Sequence, residues 1–139
     1  MRVFFDSSAF AKRYVVHERG TAEVLAWCER ADELALSVIA VPELIAAFCR
    51  LRRDGRITAT QYRRLKDDFM ADIDDALICD TSPQTLQHAV AALERHPLRG
   101  MDALHLGAAV ACAAEMFVSA DKRHCAAARA IGLTVSQVW

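Results

Sequence analysis

Residues 100–132 read GMDALHLGAAVACAAEMFVSADKRHCAAARAIG, and the alternation inside this stretch decides the fold class. Residues 102–115 are rich in Ala and Leu and predict a helix. Residues 116–120, MFVSA, form an apolar run of strand length. Asp121 then opens a second helix that extends to Ile131 and stops at Gly132. A short strand between two helices, each with an aspartate at its start, is a unit of an α/β sheet rather than of a helical bundle.

The same alternation continues outward from this unit. Toward the N-terminus, residues 82–96 predict a helix opened by Ser82 and Pro83, and residues 76–79 a strand. Thr58 caps a helix to about residue 74. Residues 38–54 form another, with Pro42 tolerated in the first turn and Gly55 as the stop. Residues 33–37 predict a strand, residues 21–31 a helix, and residues 2–6, RVFFD, the first strand. Ser7 or Ser8 then caps a helix to about residue 16. Residues 133–138 close the pattern with a final strand. The expectation is a single α/β domain over residues 1–139, with a mainly parallel central sheet of about five strands and helices on both faces. In such a sheet the functional site lies beyond the carboxyl ends of the strands.

Hydrophobic residues make up 54% of the 139, rich for so small a body, which predicts self-association or a partner. The formal net charge of −1 means that any grip on nucleic acid must come from a local basic patch. Cys28, Cys49, Cys79, Cys112 and Cys125 lie far apart with no C-x-x-C pair. That argues against a zinc cage and for idle thiols in a reducing cytoplasm. The opening MRVFFDSSAF is no signal peptide. The apolar stretch 103–120 is broken by His105 and Glu115, so no membrane span is expected.

Four acids occupy the predicted functional edge or can reach it. Asp6 ends the first strand, Asp121 follows the fourth, and Glu43 and Asp102 lie in first turns of helices. Each alone has a plain structural role: Asp6 as a helix cap, Asp102 and Asp121 as first-turn acids favoured by the helix dipole. The set is different. Its neighbours, VFFD, AVPELIAAF, GMDALHL and MFVSAD, are apolar, and desolvated carboxylates without cations are costly. Lys12 and Lys122 are the nearest cations in sequence. Converging carboxylates short of cations imply a bound metal, and all-oxygen ligation selects Mg²⁺ or Mn²⁺ over zinc.

At these residues the sequence resembles the PIN-domain family, and within it the VapC-type toxins of bacterial toxin–antitoxin pairs. The matching segments are FFDSSAFAKRYV, SVIAVPELIAAFCRLRRDG, LRGMDALHLGAAVACAAEMFVSADKR and AARAIGLTV. The resemblance implies an Mg²⁺- or Mn²⁺-dependent endoribonuclease that inhibits translation, with an RNA substrate, a cognate antitoxin protein and a homodimer. It implies a catalytic set of Asp6, Glu43, Asp102 and Asp121. Asp6 and Asp102 are the main metal ligands, Asp121 completes the cage, and Glu43 orients or deprotonates the attacking water. Ser119 matches the hydroxyl residue before the last acid, and Ser8 supports Asp6 through a hydrogen bond. In-line attack would leave a 5′-phosphate and a 3′-hydroxyl. The sequence departs from the family at one point: the run Asp121-Lys122-Arg123-His124 lacks the further aspartate of many relatives, which puts a second metal in doubt.

Other residues have weaker claims. His105, three positions after Asp102, could touch the site but reads first as a packed or capping histidine. His17, His88, His96 and His124 form no ligand spacing and receive no role. Arg50 and Arg53 belong to a basic cluster with Arg52, Arg56, Arg63, Arg64 and Lys66, either a solvated face or a grip on RNA phosphates. Lys12 is either a surface lysine or a phosphate ligand. The apolar residues of the same two helices offer a groove for an amphipathic antitoxin segment. Two rivals differ in kind: a PIN domain reduced to an RNA- or protein-binding module, and a phosphoacceptor signalling domain with Asp80 as acceptor. The second lacks paired acids after the first strand and a lysine on the last.

Overall fold

The computed structural model describes residues 1–15 and 19–139. Five strands form one parallel sheet: β1 Arg2–Phe5, β2 Glu33–Ser37, β3 Leu77–Cys79, β4 Met116–Ser119 and β5 Val135–Gln137, in the spatial order β3-β2-β1-β4-β5. The helices among the described residues are α1 Ser7–Phe10, α2 Thr21–Arg30, α3 Ala40–Arg53, α4 Ala59–Asp75, α5 Pro83–Arg95, α6 Gly100–Ala111 and α7 Lys122–Ala130. None of them is long and apolar enough to cross a membrane.

Side-chain alternation along the strands divides the core in two. Val3, Phe5, Leu36 and Val118 point to one face, where Phe10, Val24, Leu44, Phe48 and Phe69 from α1–α4 meet them. Phe4, Ala35 and Phe117 point to the other, against Ala92 of α5, Leu106 and Ala109 of α6, and Ala127 and Ala128 of α7. Phe4, Phe5, Phe10, Phe48, Phe69 and Phe117 are fully buried, each contributing about 2–3 kcal/mol of transfer free energy. The helices of the first face bring mostly rings to the sheet and those of the second mostly alanines.

The order of strands sets the position of the site. From β1 the chain moves outward through β2 to β3 with its helices on the first face. It then crosses back over the second face through α5 and α6 to β4, on the other side of β1. The carboxyl ends of β1 and β4 therefore flank a topological switch point, the crevice that open α/β sheets use for ligands.

Several boundaries depart from the sequence reading. The helix after β1 is capped by Asp6, whose side chain accepts from the Ala9 amide, rather than by Ser7 or Ser8. It ends at Phe10 and tightens into a 3₁₀ turn over Ala11–Arg13; the expected end at residue 16 lies outside the described residues. The helix expected over 102–115 stops at Ala111, and Ala113 turns left-handed at φ 56°. Arg2 explains the early stop. Its guanidinium donates to the Cys112 carbonyl, its amide to Glu115 Oε1, and its carbonyl accepts from the Glu115 amide. The last turn is thus closed from β1, a contact that no local residue announces.

Candidate active site

Asp6 leaves β1 with its amide still in the sheet, donating to the Val118 carbonyl at 3.1 Å. Its carboxylate is 3% exposed and takes four donors. Oδ1 accepts from Ser8 Oγ at 2.7 Å and from the Ala9 amide at 2.9 Å. Oδ2 accepts from Ser119 Oγ at 2.5 Å and from His124 Nδ1 at 2.7 Å. Burial alone would raise the pKa of Asp6; the bonds from His124, Ser119 and Ser8 outweigh it and hold the carboxyl below its ordinary range.

His124 is the residue that sequence reasoning passed over. It is buried in the first turn of α7, and its Nε2 lies 2.8 Å from the Asp102 carbonyl oxygen. Both ring nitrogens therefore face acceptors, a carboxylate and a carbonyl, and both must donate. Only the imidazolium does that. Burial pulls its pKa down, but the bond and charge of Asp6 prevail and raise it above the ordinary histidine value. The spacing held a signal. A histidine three residues past an N-cap aspartate sits at the positive end of a helix, where a cation is disfavoured unless an acid faces it.

Glu43, in the first turn of α3, is half-buried. Its Oε1 accepts from Ser7 Oγ at 2.7 Å and from His105 Nε2 at 2.6 Å. The His105 bond is the main reason its pKa lies low, against burial and with help from Ser7. His105 is buried, as a packed histidine should be, yet it touches the site through Glu43; its Nδ1 has no partner. Ser7, expected only as a cap, is a second holder of Glu43.

Asp102 and Asp121 face a common pocket of about 420 Å³, rimmed by Arg99, Lys122 and Arg123. Asp121 caps α7, its Oδ1 accepting from the amides of Arg123 and His124 at 2.8 and 3.1 Å. Ser119 ties this acid to the buried one: its hydroxyl donates to Asp6 and accepts from the Asp121 amide at 3.0 Å. Ser8 does likewise, donating to Asp6 and accepting from the Ala120 amide at 3.2 Å. The arrangement is a buried, charged Asp6 between two acid-bearing helix starts, with three basic side chains around the opening.

Two of the expected phosphate contacts, Arg50 and Arg53, lie along α3 from Glu43. Arg50 and Arg53 are exposed in the last turn of α3, while Glu43 is in its first; at 1.5 Å per residue they lie roughly 10–15 Å along the axis from the acid. Lys12 lies in the 3₁₀ turn, with its Cδ near Gly20. Asp80 is exposed after β3, two strands from β1, and has no second acid beside it among the residues above. Among the described residues no three His, Cys, Asp or Glu side chains already converge as a cation cage. The donor chemistry nonetheless suits a hard ion, since Asp102 and Asp121 offer carboxylate oxygens to one cavity and both His124 nitrogens are committed elsewhere.

Comparison with known proteins adds to this geometry. A family model described as PIN domain matches residues 3–130. Two curated proteins of Mycobacterium tuberculosis, ribonucleases VapC45 and VapC49, are each 32% identical over 139 residues, spanning 96% of this chain and 94% of theirs. Among solved structures, VapBC2 from Rickettsia felis, bound to a DNA fragment from its promoter, matches with a TM-score of 0.72 at 16% identity, over 100% of this chain and 99% of that one. FitAcB from Neisseria gonorrhoeae matches with a TM-score of 0.70 at 14% identity, over 96% and 95% of the two chains. These structural likenesses concern the fold.

Proposed function

The chain belongs to the PIN-domain family, and from that premise we propose that it is a metal-dependent endoribonuclease, the toxin of a VapBC-type pair, acting in the cytoplasm as one PIN domain over residues 1–139. The observation that carries the reading is the placement of Asp6 and Asp121 just beyond the carboxyl ends of the two strands that flank the switch point, with Asp102 in the pocket of Asp121. Asp6, Asp102 and Asp121 would hold Mg²⁺ or Mn²⁺. When bound, the ion supplies charge neutralisation at the phosphodiester and activation of water.

The roles of the other groups follow from their contacts. Ser8, Ser119 and His124 keep Asp6 ionised and aligned. For Asp6 to give an oxygen to an ion, one of its four donors must yield. Glu43 is gripped at Oε1 and its pKa is lowered, which makes it a weak base; it orients the attacking water rather than stripping its proton. Arg99, Lys122 and Arg123 would hold the phosphates that flank the cut. Arg50 and Arg53 would meet only RNA that extends away from Glu43.

A cognate antitoxin fits the apolar pocket of about 480 Å³ between α3 and α4, lined by Leu51, Ile57 and Leu65 beside Arg56 and Arg64. An amphipathic segment with acidic flanks would suit it. A homodimer is suggested by α5, where Leu86, Val90 and Leu93 are 48%, 54% and 40% exposed along one stripe. A twofold contact would set this same stripe on both copies against itself.

The test is cleavage of total RNA with Mg²⁺ or Mn²⁺, beside an EDTA control and Asp102→Ala. The expected outcome is metal-dependent cutting that leaves 5′-phosphates and 3′-hydroxyls. In the variant it should fall by more than the roughly 10–100-fold that loss of an outer-shell partner costs. Cyclic phosphate ends, or cutting that survives EDTA, would refute the mechanism. The saturation of Asp6 is the observation that would favour a PIN domain reduced to binding; absence of both cleavage and Mn²⁺ binding, with antitoxin removed, would establish that alternative.

A further inference from the structure

One exposed aromatic among the described residues stands beside Lys122, a residue that lines the acid pocket. Trp139 is 39% exposed, and Lys122 Nζ lies 5.3 Å from the centre of its ring. Lys122 follows Asp121 directly and lines the cavity that holds Asp102 and Asp121. The backbone that delivers the indole is held in place. Val138 is 1% exposed and donates its amide to the Ser119 carbonyl at 2.9 Å. Gly20, at φ +90°, approaches so closely that a Cβ there would lie 3.0 Å from the Val138 carbonyl carbon. Ser119 in turn holds Asp6. A broad aromatic face is thus fixed at the carboxyl edge of the sheet, one hydrogen-bonded step from the buried acid, with a cation beside it.

We propose that Trp139 is a stacking platform for a nucleobase of single-stranded RNA, and that Lys122 meets the phosphate of the same nucleotide. The inference rests on the ribonuclease reading and adds a substrate contact to it. A single strand offers free base faces; a duplex keeps its bases stacked on one another, and its groove edges give an indole no ring to cover. Stacking on an aromatic ring tolerates any base because each has a flat π face, so the platform would hold the strand without selecting its sequence. Val138, and not Trp139, carries the burial at this end of β5, so the ring is available.

The experiment separates stacking from cleavage and from charge. Binding of a labelled 12-nucleotide single-stranded RNA and of a matched duplex is measured in EDTA, with Asp102→Asn as the inert background. Adding Trp139→Ala should weaken single-strand binding about ten- to a hundredfold and leave duplex binding and the Tm unchanged. Trp139→Phe should recover most of the loss. Lys122→Gln should reduce the salt dependence of binding, which Trp139→Ala should not. RNA should quench tryptophan emission in the parent and not in Trp139→Phe. Equal single-strand affinity with and without Trp139 overturns the platform and leaves the nuclease reading standing; failure of the parent to bind RNA at all overturns both.

Discussion

An ionised carboxylate as buried as Asp6 needs a cation within reach, and His124 is the one that touches it. Exchanging this histidine for a neutral donor would keep a hydrogen bond but break the ion pair that compensates the buried charge of Asp6. Breaking a buried pair from one side costs about 3–5 kcal/mol. His124→Ala should therefore lower stability by that amount in urea titrations run in EDTA. Asp6→Ala should cost less in the His124→Ala background than in the parent, because the charge that needed a partner is gone. Additive losses in this double-mutant cycle would show that the two residues are not coupled. Neither effect depends on metal or substrate, so the cycle reports on how the site is built. At this scale the sequence was half legible. Asp6, Glu43, Asp102 and Asp121 were visible as acids at strand ends and helix starts. His105 was visible as a residue that could touch the site and His124 was not, and neither partner was, because an imidazole declares its partner only when the fold brings one from 118 or 62 residues away.

The α5–α6 hairpin is the element that presents Asp102. Its two helices approach at Gly107, where a Cβ would run into the Thr85 carbonyl oxygen and lie 3.1 Å from the Ala89 nitrogen. Backbone cannot step aside as the end of a flexible side chain can. Gly107→Ala should thus destabilise the protein by about 1–3 kcal/mol despite the better helix propensity of alanine. Gly100, in the first turn of the same helix with nothing within 4 Å of its would-be Cβ, is the contrast: Gly100→Ala should be neutral or stabilise by up to about 1 kcal/mol. Thermal unfolding of both variants checks the pair, and equal shifts would mean that the close approach is not what Gly107 provides. Helix starts in this chain were legible because Thr58, Ser82 and Asp121 announce them through their own side chains. The end of α6 was not: the run AVACAAE contains no glycine or proline, and the stop is imposed by Arg2.

For the whole molecule, the apolar stripe of α5 is the largest feature that the fold leaves uncovered on that helix. Thr85, Ala89 and Ala92 face inward, while Leu86, Val90 and Leu93 lie on the adjoining flank in solvent. If two copies pair there, Val90→Glu places like charges near the twofold axis and should convert a dimer to a monomer in light scattering without lowering the Tm of the monomer fold. An unchanged mass would move the dimer contact to another face. A contact there would give the self-association expected from the high hydrophobic content a location, since most other large apolar side chains are inside one of the two core layers.

The sequence by itself determined the alternation of strands and helices, the two-sided burial of the strands, and four acids at the edge where such sheets place their chemistry. These are local properties: periodicity, caps, and a charged residue at the end of an apolar run. Only the tertiary structure decided the order β3-β2-β1-β4-β5, which makes neighbours of Asp6 and Ser119 across 113 residues. It also decided the imidazolium between Asp6 and Asp102 and the Glu43–His105 contact. The reason is physical. A hydrogen bond or ion pair between distant residues forms only after the sheet has closed the loops between them, and no pattern within one turn or one strand records which partner will then be opposite.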